Sequence, residues 1–312
     1  MRVGTLLSRN RPRFCALALL GFALFGFALL IAPLEARAVG APPRAQLDDG
    51  DWSLLVPQST PDPQEAQGGI FDAPRNRVLI FGGWDGTNSL NTTRELTIGA
   101  PPTWGVVATL GTRPAGRYAH SVVYDSARDR ILVFGGRDAS SSYFGDVWAL
   151  TLSGPPTWTQ ILPSGTPPSG RFGHEAIYDP IRDRMLVFGG YDGVFCNDLW
   201  ELSLGGTPTW TQLTPAGTPP TERDFATSAY DPVGDRIVLY GGNVYVSPGP
   251  PTASGDVWTL SLSGTPTWAP LAVTGSPPVS RLLHKSFYDA PRNRLIVMGG
   301  YDGFNFRNDA YA

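Results

Sequence analysis

Several sets of side chains in this 312-residue sequence have types and spacings that chemistry could use. His120, His174 and His284 are the only histidines, and each stands four residues before a tyrosine. Three imidazoles would hold a metal ion if they converged. Arg117, Arg171, Arg223 and Arg281 each stand seven residues before an aromatic residue. Guanidinium groups grip carboxylates and sulfates through paired hydrogen bonds, so a ring of four would suit an anion. Asp72, Asp125, Asp179, Asp231 and Asp289 are each followed five residues later by an arginine. Glu175 and Glu222 lie close in sequence to the arginines and could move protons there. Cys196 and Tyr191 share one short segment.

The spacing of these sets points to a repeat, and repeats decide where side chains can meet. Glycine pairs recur at Gly82-Gly83, Gly135-Gly136, Gly189-Gly190, Gly241-Gly242 and Gly299-Gly300, at intervals of 53, 54, 52 and 58 residues. Each pair closes a four-residue apolar run rich in β-branched and aromatic residues, at 78–81, 131–134, 185–188, 237–240 and 295–298. Such runs, bounded by turn residues, read as buried strands. An aromatic-Asp pair precedes each run, and tryptophan opens a later strand at Trp104, Trp158, Trp210 and Trp268. Each repeat therefore predicts four strands in an antiparallel meander. No helical period appears after residue 38. A single four-stranded sheet cannot bury both faces, whereas sheets stacked radially cover one another.

The double glycine, the aromatic-Asp pair and the downstream tryptophan resemble kelch repeats, over residues 52–312. WD40 repeats are shorter, and the single Trp84-Asp85 here falls in a loop. The resemblance implies an all-β fold, a β-propeller of five four-stranded blades, of the bacterial secreted type. Six or seven blades are usual in such propellers, so five is a low number. Trp52-Ser53-Leu54-Leu55 matches a fourth strand, and Asn308-Asp309-Ala310-Tyr311 a third strand lacking its fourth. The last blade is thus expected to be closed by an N-terminal strand, which removes exposed sheet edges.

A propeller spreads equivalent positions around a ring. The three histidines are therefore expected to be packed, hydrogen-bonded groups, as at this point of other kelch repeats, rather than metal ligands. The Asp-x4-Arg pairs are expected to brace the turn between the first two strands, worth about 0–1 kcal/mol each if exposed. Kelch repeats also form the central domain of galactose oxidase, but Cys196 and Tyr191 echo only a fragment of its copper site. No catalytic residue, metal or cofactor is expected. The arginine ring differs, because these residues enter the innermost strand from the side that carries the variable loops 84–91, 137–145, 191–197, 243–255 and 301–308. Repeat one has Gln64 in place of the arginine. Variable loops on a regular scaffold are where binding resides. Arg117, Arg171, Arg223 and Arg281 are the expected ligand-binding residues on the loop face, with a protein or an anionic glycan as partner. The alternative that the resemblance implies is a periplasmic sugar-acting enzyme of the sialic-acid mutarotase type, with arginines holding a sugar carboxylate and Glu175 or Glu222 moving protons.

The N-terminus reads as an address. Arg2, Arg9, Arg11 and Arg13 precede an uncharged apolar run at 16–31, and Ala36-Arg37-Ala38 supplies a small-x-small cleavage pattern. The expected division is a signal peptide at 1–38, a linker at 39–50 and the propeller at 51–312. An uncleaved segment would instead make the chain the ectodomain of a membrane-anchored protein. Cleavage after Ala38 removes five arginines and one glutamate, leaving 19 basic and 26 acidic residues and a formal charge of −7. Nucleic acid is a poor partner for so acidic a chain. Lys285 is the only lysine, as suits a high-GC bacterial genome, and Cys196 alone remains after processing, so no intrachain disulfide can form.

Overall fold

The computed structural model describes residues 56–59 and 62–312. The signal peptide, the linker and the strand expected at 52–55 lie outside the described residues. The described chain is all-β, with two single-turn 3-10 segments (Ala73–Arg75 and Ala290–Arg292) as its only helical elements. It forms the expected five-bladed propeller, each blade running from its innermost strand outward. The first blade holds β1 (Gly68–Asp72), β2 (Arg77–Phe81), β3 (Thr93–Thr97) and β4 (Thr103–Val106). The second holds β5 (Ser121–Asp125), β6 (Arg130–Phe134), β7 (Val147–Thr151) and β8 (Thr157–Ile161). The third holds β9 (Glu175–Asp179), β10 (Arg184–Tyr191), β11 (Phe195–Ser203) and β12 (Thr209–Leu213). The fourth holds β13 (Thr227–Asp231), β14 (Arg236–Val244), β15 (Thr252–Ser261) and β16 (Thr267–Pro270). The fifth shows β17 (Lys285–Asp289), β18 (Arg294–Met298) and β19 (Ala310–Tyr311) among the described residues.

The innermost strands adjoin in order, β1 against β5, then β9, β13 and β17. Aromatic pairs fill the wedges between blades. Trp158 of the second blade packs on Phe81 of the first at 4.8 Å, Trp210 on Phe134 at 5.2 Å, and Trp268 on Phe188 at 5.0 Å. All three tryptophans are buried, and each pair adds about 0.5–1.5 kcal/mol beyond the area it hides. The chain also crosses from each blade to the next in one fixed register. Leu110, Ser164 and Ala216, each six residues after an outer-strand tryptophan, donate their backbone N–H to Pro156, Pro208 and Pro266. Gln58 makes the same bond to Pro102 at 3.0 Å, and it stands six residues after Trp52.

The double glycines are required by close approach. Gly135 has φ 67°, and a Cβ there would lie 2.7 Å from the carbonyl oxygen of Arg171 in the next blade. That carbonyl accepts the N–H of Gly136 at 2.8 Å. Any side chain would break the seam.

The Asp-x4-Arg pairs brace the first turn of every blade, as expected, at 2.7–3.0 Å. Their aspartates are not exposed, however: Asp72, Asp125, Asp179 and Asp231 are all buried. At the first three of these turns a second ion pair crosses between blades: Arg75 reaches Asp129, Arg128 reaches Asp183 and Arg182 reaches Asp235, so each of the three is covered by its neighbour. The fourth-to-fifth junction lacks this strap, because Gly234 stands where an arginine would reach and Asn293 where the aspartate would receive it. Hydrogen exchange should therefore find β17 and β18 less protected than β9 and β10. Equal protection in the two blades would show that the straps do not set blade docking.

Candidate functional site at the loop-side mouth

The four expected arginines do come to one end of the propeller, beside the hairpins that follow the double glycines. They are not available there. Arg117 and Arg281 are 0% exposed, and Arg171 and Arg223 are 1% exposed. Each guanidinium grips one third-strand aspartate through both oxygens: Asp146, Asp198, Asp256 and Asp309, at 2.5–3.1 Å. Each also donates to the carbonyl of the first glycine of its pair, Gly135, Gly189, Gly241 or Gly299. The remaining Nε donates to a carbonyl two residues upstream. The assignment of Arg117, Arg171, Arg223 and Arg281 as ligand-binding residues is thus corrected. They are clamps that tie the entry of the inner strand to the hairpin and the third strand.

The aspartates in these clamps were not singled out from the sequence, although a signal was present. They stand two residues before Trp148, Trp200, Trp258 and Tyr311. In repeat one, where Gln64 replaces the arginine, Thr92 occupies the aspartate's place. Three of the four clamps are drawn tighter by a tryptophan: the indole Nε1 of Trp148, Trp200 and Trp258 donates to the same carboxylate at 2.6 Å. Burial works against the Asp256 carboxylate, yet bonds from Arg223, Ser254 and Trp258 hold it down to about 2.

The histidines behave as packed groups. Each sits on a ring of the preceding blade, His120 on Phe81, His174 on Phe134 and His284 on Tyr240, at 5.0–5.4 Å. Burial pushes all three down to about 3, with nearby Arg117, Arg171 or Arg281 adding to the effect. Cys196 is buried, and its thiol is pushed up to about 12 by burial, which suppresses the thiolate. Glu175 turns into the seam between the third and fourth blades, where Ser228 donates its N–H and its hydroxyl to one carboxylate oxygen, both at 3.0 Å. Burial raises this carboxyl to about 7. Glu222 is half-buried beside Arg223, and its carbonyl accepts the N–H of Tyr245. With the guanidiniums committed to aspartates, neither glutamate has an arginine to share a substrate with.

What the loop side does present is aromatic surface. The residue after each clamp position forms a bridge with the first hairpin residue of its own blade: Glu65 with Trp84, Tyr118 with Arg137, Phe172 with Tyr191, Asp224 with Asn243 and Leu282 with Tyr301. Between blades the rings touch. Tyr118 lies 5.3 Å from Trp84, and Arg137 spans Tyr118 and Phe172 at 5.4 and 5.0 Å. Phe172 meets Tyr143, Tyr191 and Phe225 at 5.3, 5.5 and 6.0 Å. Tyr191 meets Phe195, which stacks on Tyr245 at 5.7 Å with the rings only 5° from parallel. Around this belt Val194, Tyr245, Val246 and Phe304 are exposed. Burial raises two carboxyls on the same side, Glu65 and Asp224, to about 7. The belt was hidden in the sequence because its rings come from strand-entry positions such as Tyr118 and Phe172 and from hairpin positions such as Tyr143, Tyr191, Phe195 and Tyr245, which are separated along each repeat.

The KLHDC2/KLHL20/DRC7 Kelch-repeats domain matches residues 155–312. Host cell factor 1 of Homo sapiens is 27% identical over 87% of this chain, and the Rab9 effector protein with kelch motifs of Bos taurus is 29% identical over 66%. The chain spans only 13% of host cell factor 1 and 55% of the Rab9 effector. Among solved structures, YjhT superposes with a TM-score of 0.66 over 85% of each chain at 15% identity. No helix among the described residues is long and apolar enough to cross a membrane.

Proposed function

Because this chain belongs to the kelch-repeat family, we propose that it is a protein-binding module that receives a partner's segment across its loop-side mouth. One observation carries this reading: a continuous belt of ring contacts crosses four hairpins and ends in exposed aromatic and aliphatic side chains. Large rings on rigid hairpins lose little conformational entropy on binding, and such residues dominate protein interfaces. A relative named as a Rab9 effector accords with work done through other proteins. An anionic glycan has less support, since the guanidiniums that would have held it are committed to aspartates.

The test is selection of displayed peptides on the full chain, followed by variants. Tyr245→Ser combined with Phe304→Ser should weaken the selected peptides at least tenfold, the scale of losing one aromatic anchor. Leu162→Ser, an exposed residue on the outer edge, should leave binding unchanged. Binding that survives the double change would place the interface elsewhere.

The proposal includes export. The basic n-region, the apolar run and Ala36-Arg37-Ala38 support cleavage after Ala38 and a periplasmic or cell-surface location. The mature chain should begin at Val39 on N-terminal sequencing. Recovery only of membrane-bound chains that retain Met1 would overturn this part.

A further inference from the structure

Asp224 is an anomaly on the loop side. It is 5% exposed, and its Oδ1 has no hydrogen-bond partner among the described residues. Burying a carboxyl that Asn243 offsets only in part is costly, and a fold optimised only for stability would place an apolar side chain there.

The equivalent positions show what this carboxyl replaces. In the second and third blades the side chain is Tyr118 or Phe172, and its ring turns back onto the hairpin of the preceding blade. Phe172 lies over Arg137 and beside Tyr143, the two residues bridged across that hairpin. For Asp224 the corresponding hairpin is that of the third blade, whose bridged pair is Tyr191 and Phe195. The short strand Arg223–Asp224 packs against both β10 and β11, which carry those rings. A Cβ on Gly173 would lie 3.1 Å from the Cβ of Asp224, which places that Cβ against the entry of the third blade. Tyr245 follows two residues after Asn243, the partner of Asp224 in the ribbon, so it lies on the same face. It stacks on Phe195 and is 39% exposed. A carboxyl therefore stands at the position that Tyr118 and Phe172 fill in the preceding blades, on a strand packed against those that carry Tyr191 and Phe195.

We propose that this notch between the third and fourth blades takes a cationic side chain, arginine or lysine, from the bound protein segment, with Asp224 as its counter-charge. The inference rests on the proposed binding function and supplies its charge chemistry. Aromatic faces attract cations through their quadrupoles, most strongly where water is excluded. The protein's own cations nearby are occupied: Arg223 on Asp256, Arg171 on Asp198, and Arg137 over two rings with a bond to Ser141. The elevated carboxyl of Asp224 accords with a site that lacks its cation in the free protein.

The experiment uses three blocked pentapeptides, alanine and glycine around a central arginine, lysine or citrulline, titrated into the full chain by NMR up to tens of millimolar. The arginine and lysine peptides should bind at least tenfold more tightly than the citrulline peptide. Asp224→Asn should abolish that preference, and Phe195→Leu should weaken both cationic peptides while the chain remains folded by its spectrum. Equal binding of citrulline, no detectable binding of any of the three, or a preference that survives Asp224→Asn would each overturn the proposal. If displayed peptides still depend on Tyr245 and Phe304 while these fail, the notch reading falls alone. If the displayed peptides fail as well, the loop-side mouth is not the interface.

Discussion

Replacing Arg171 by alanine should lower the unfolding free energy by about 3 kcal/mol, the low end of the range for breaking a buried pair. The lower end applies because Asp198 keeps 24% of its side-chain surface in water, whereas Arg171 keeps 1%. The change leaves one carboxylate without its bidentate partner and the carbonyl of Gly189 without its donor. In a domain of this size a loss of 3 kcal/mol corresponds to a fall in Tm of about 6–12 °C. Lysine at the position should rescue little, since an ammonium cannot engage both carboxylate oxygens and a carbonyl in one plane. Urea titration of the two variants decides the matter. An unchanged midpoint with altered ligand affinity would return the arginine to the role of a binding residue.

The second large effect has the opposite sign. Asp224→Asn should stabilise the protein by a few kcal/mol at pH 8 and by almost nothing at pH 4. The folded protein holds the Asp224 carboxyl at about 7, above its ordinary value of 3.8, through burial that Asn243 only partly offsets. Between those values the folded state binds a proton that the unfolded state has released, so stability falls as pH rises through the window. Above pH 7 the penalty is complete, at about 1.4 kcal/mol per unit of displacement. Asparagine keeps the shape and removes the charge. Denaturant midpoints at pH 4 and pH 8 provide the comparison. Equal midpoints for the two proteins at pH 8 would mean that the carboxylate is already compensated. A residue that costs stability where it stands is retained for another reason, and the cation notch supplies one.

The blade architecture was legible from Gly82-Gly83 to Gly299-Gly300, because strand, turn and close-packed glycine each impose a local residue choice, and five copies repeat it in register. The packed histidines and the Asp-x4-Arg braces were legible for the same reason. They join residues within one repeat or lie at one position on successive blades. The site was legible only in part. The direction of the chain through each blade located the end of the propeller to which Arg117, Arg171, Arg223 and Arg281 come, and the variable loops marked it. Which charges at that end were free could not be read, because Arg171 and Asp198 are 27 residues apart and belong to different strands.

Burial is a property of the packed ring. A guanidinium written in the sequence carries the same charge whether it faces water or a bidentate aspartate, and only the docking of inner strand, hairpin and third strand distinguishes the two. The sequence by itself determined the all-β repeat, the number of blades and the end of the propeller at which the four arginines and the variable loops gather. The tertiary structure decided the sign of the available charge. It paired each expected cation with an aspartate in its own blade and left one oxygen of the buried Asp224 without a partner, so that the face expected to bind anions is the one proposed to take a cation.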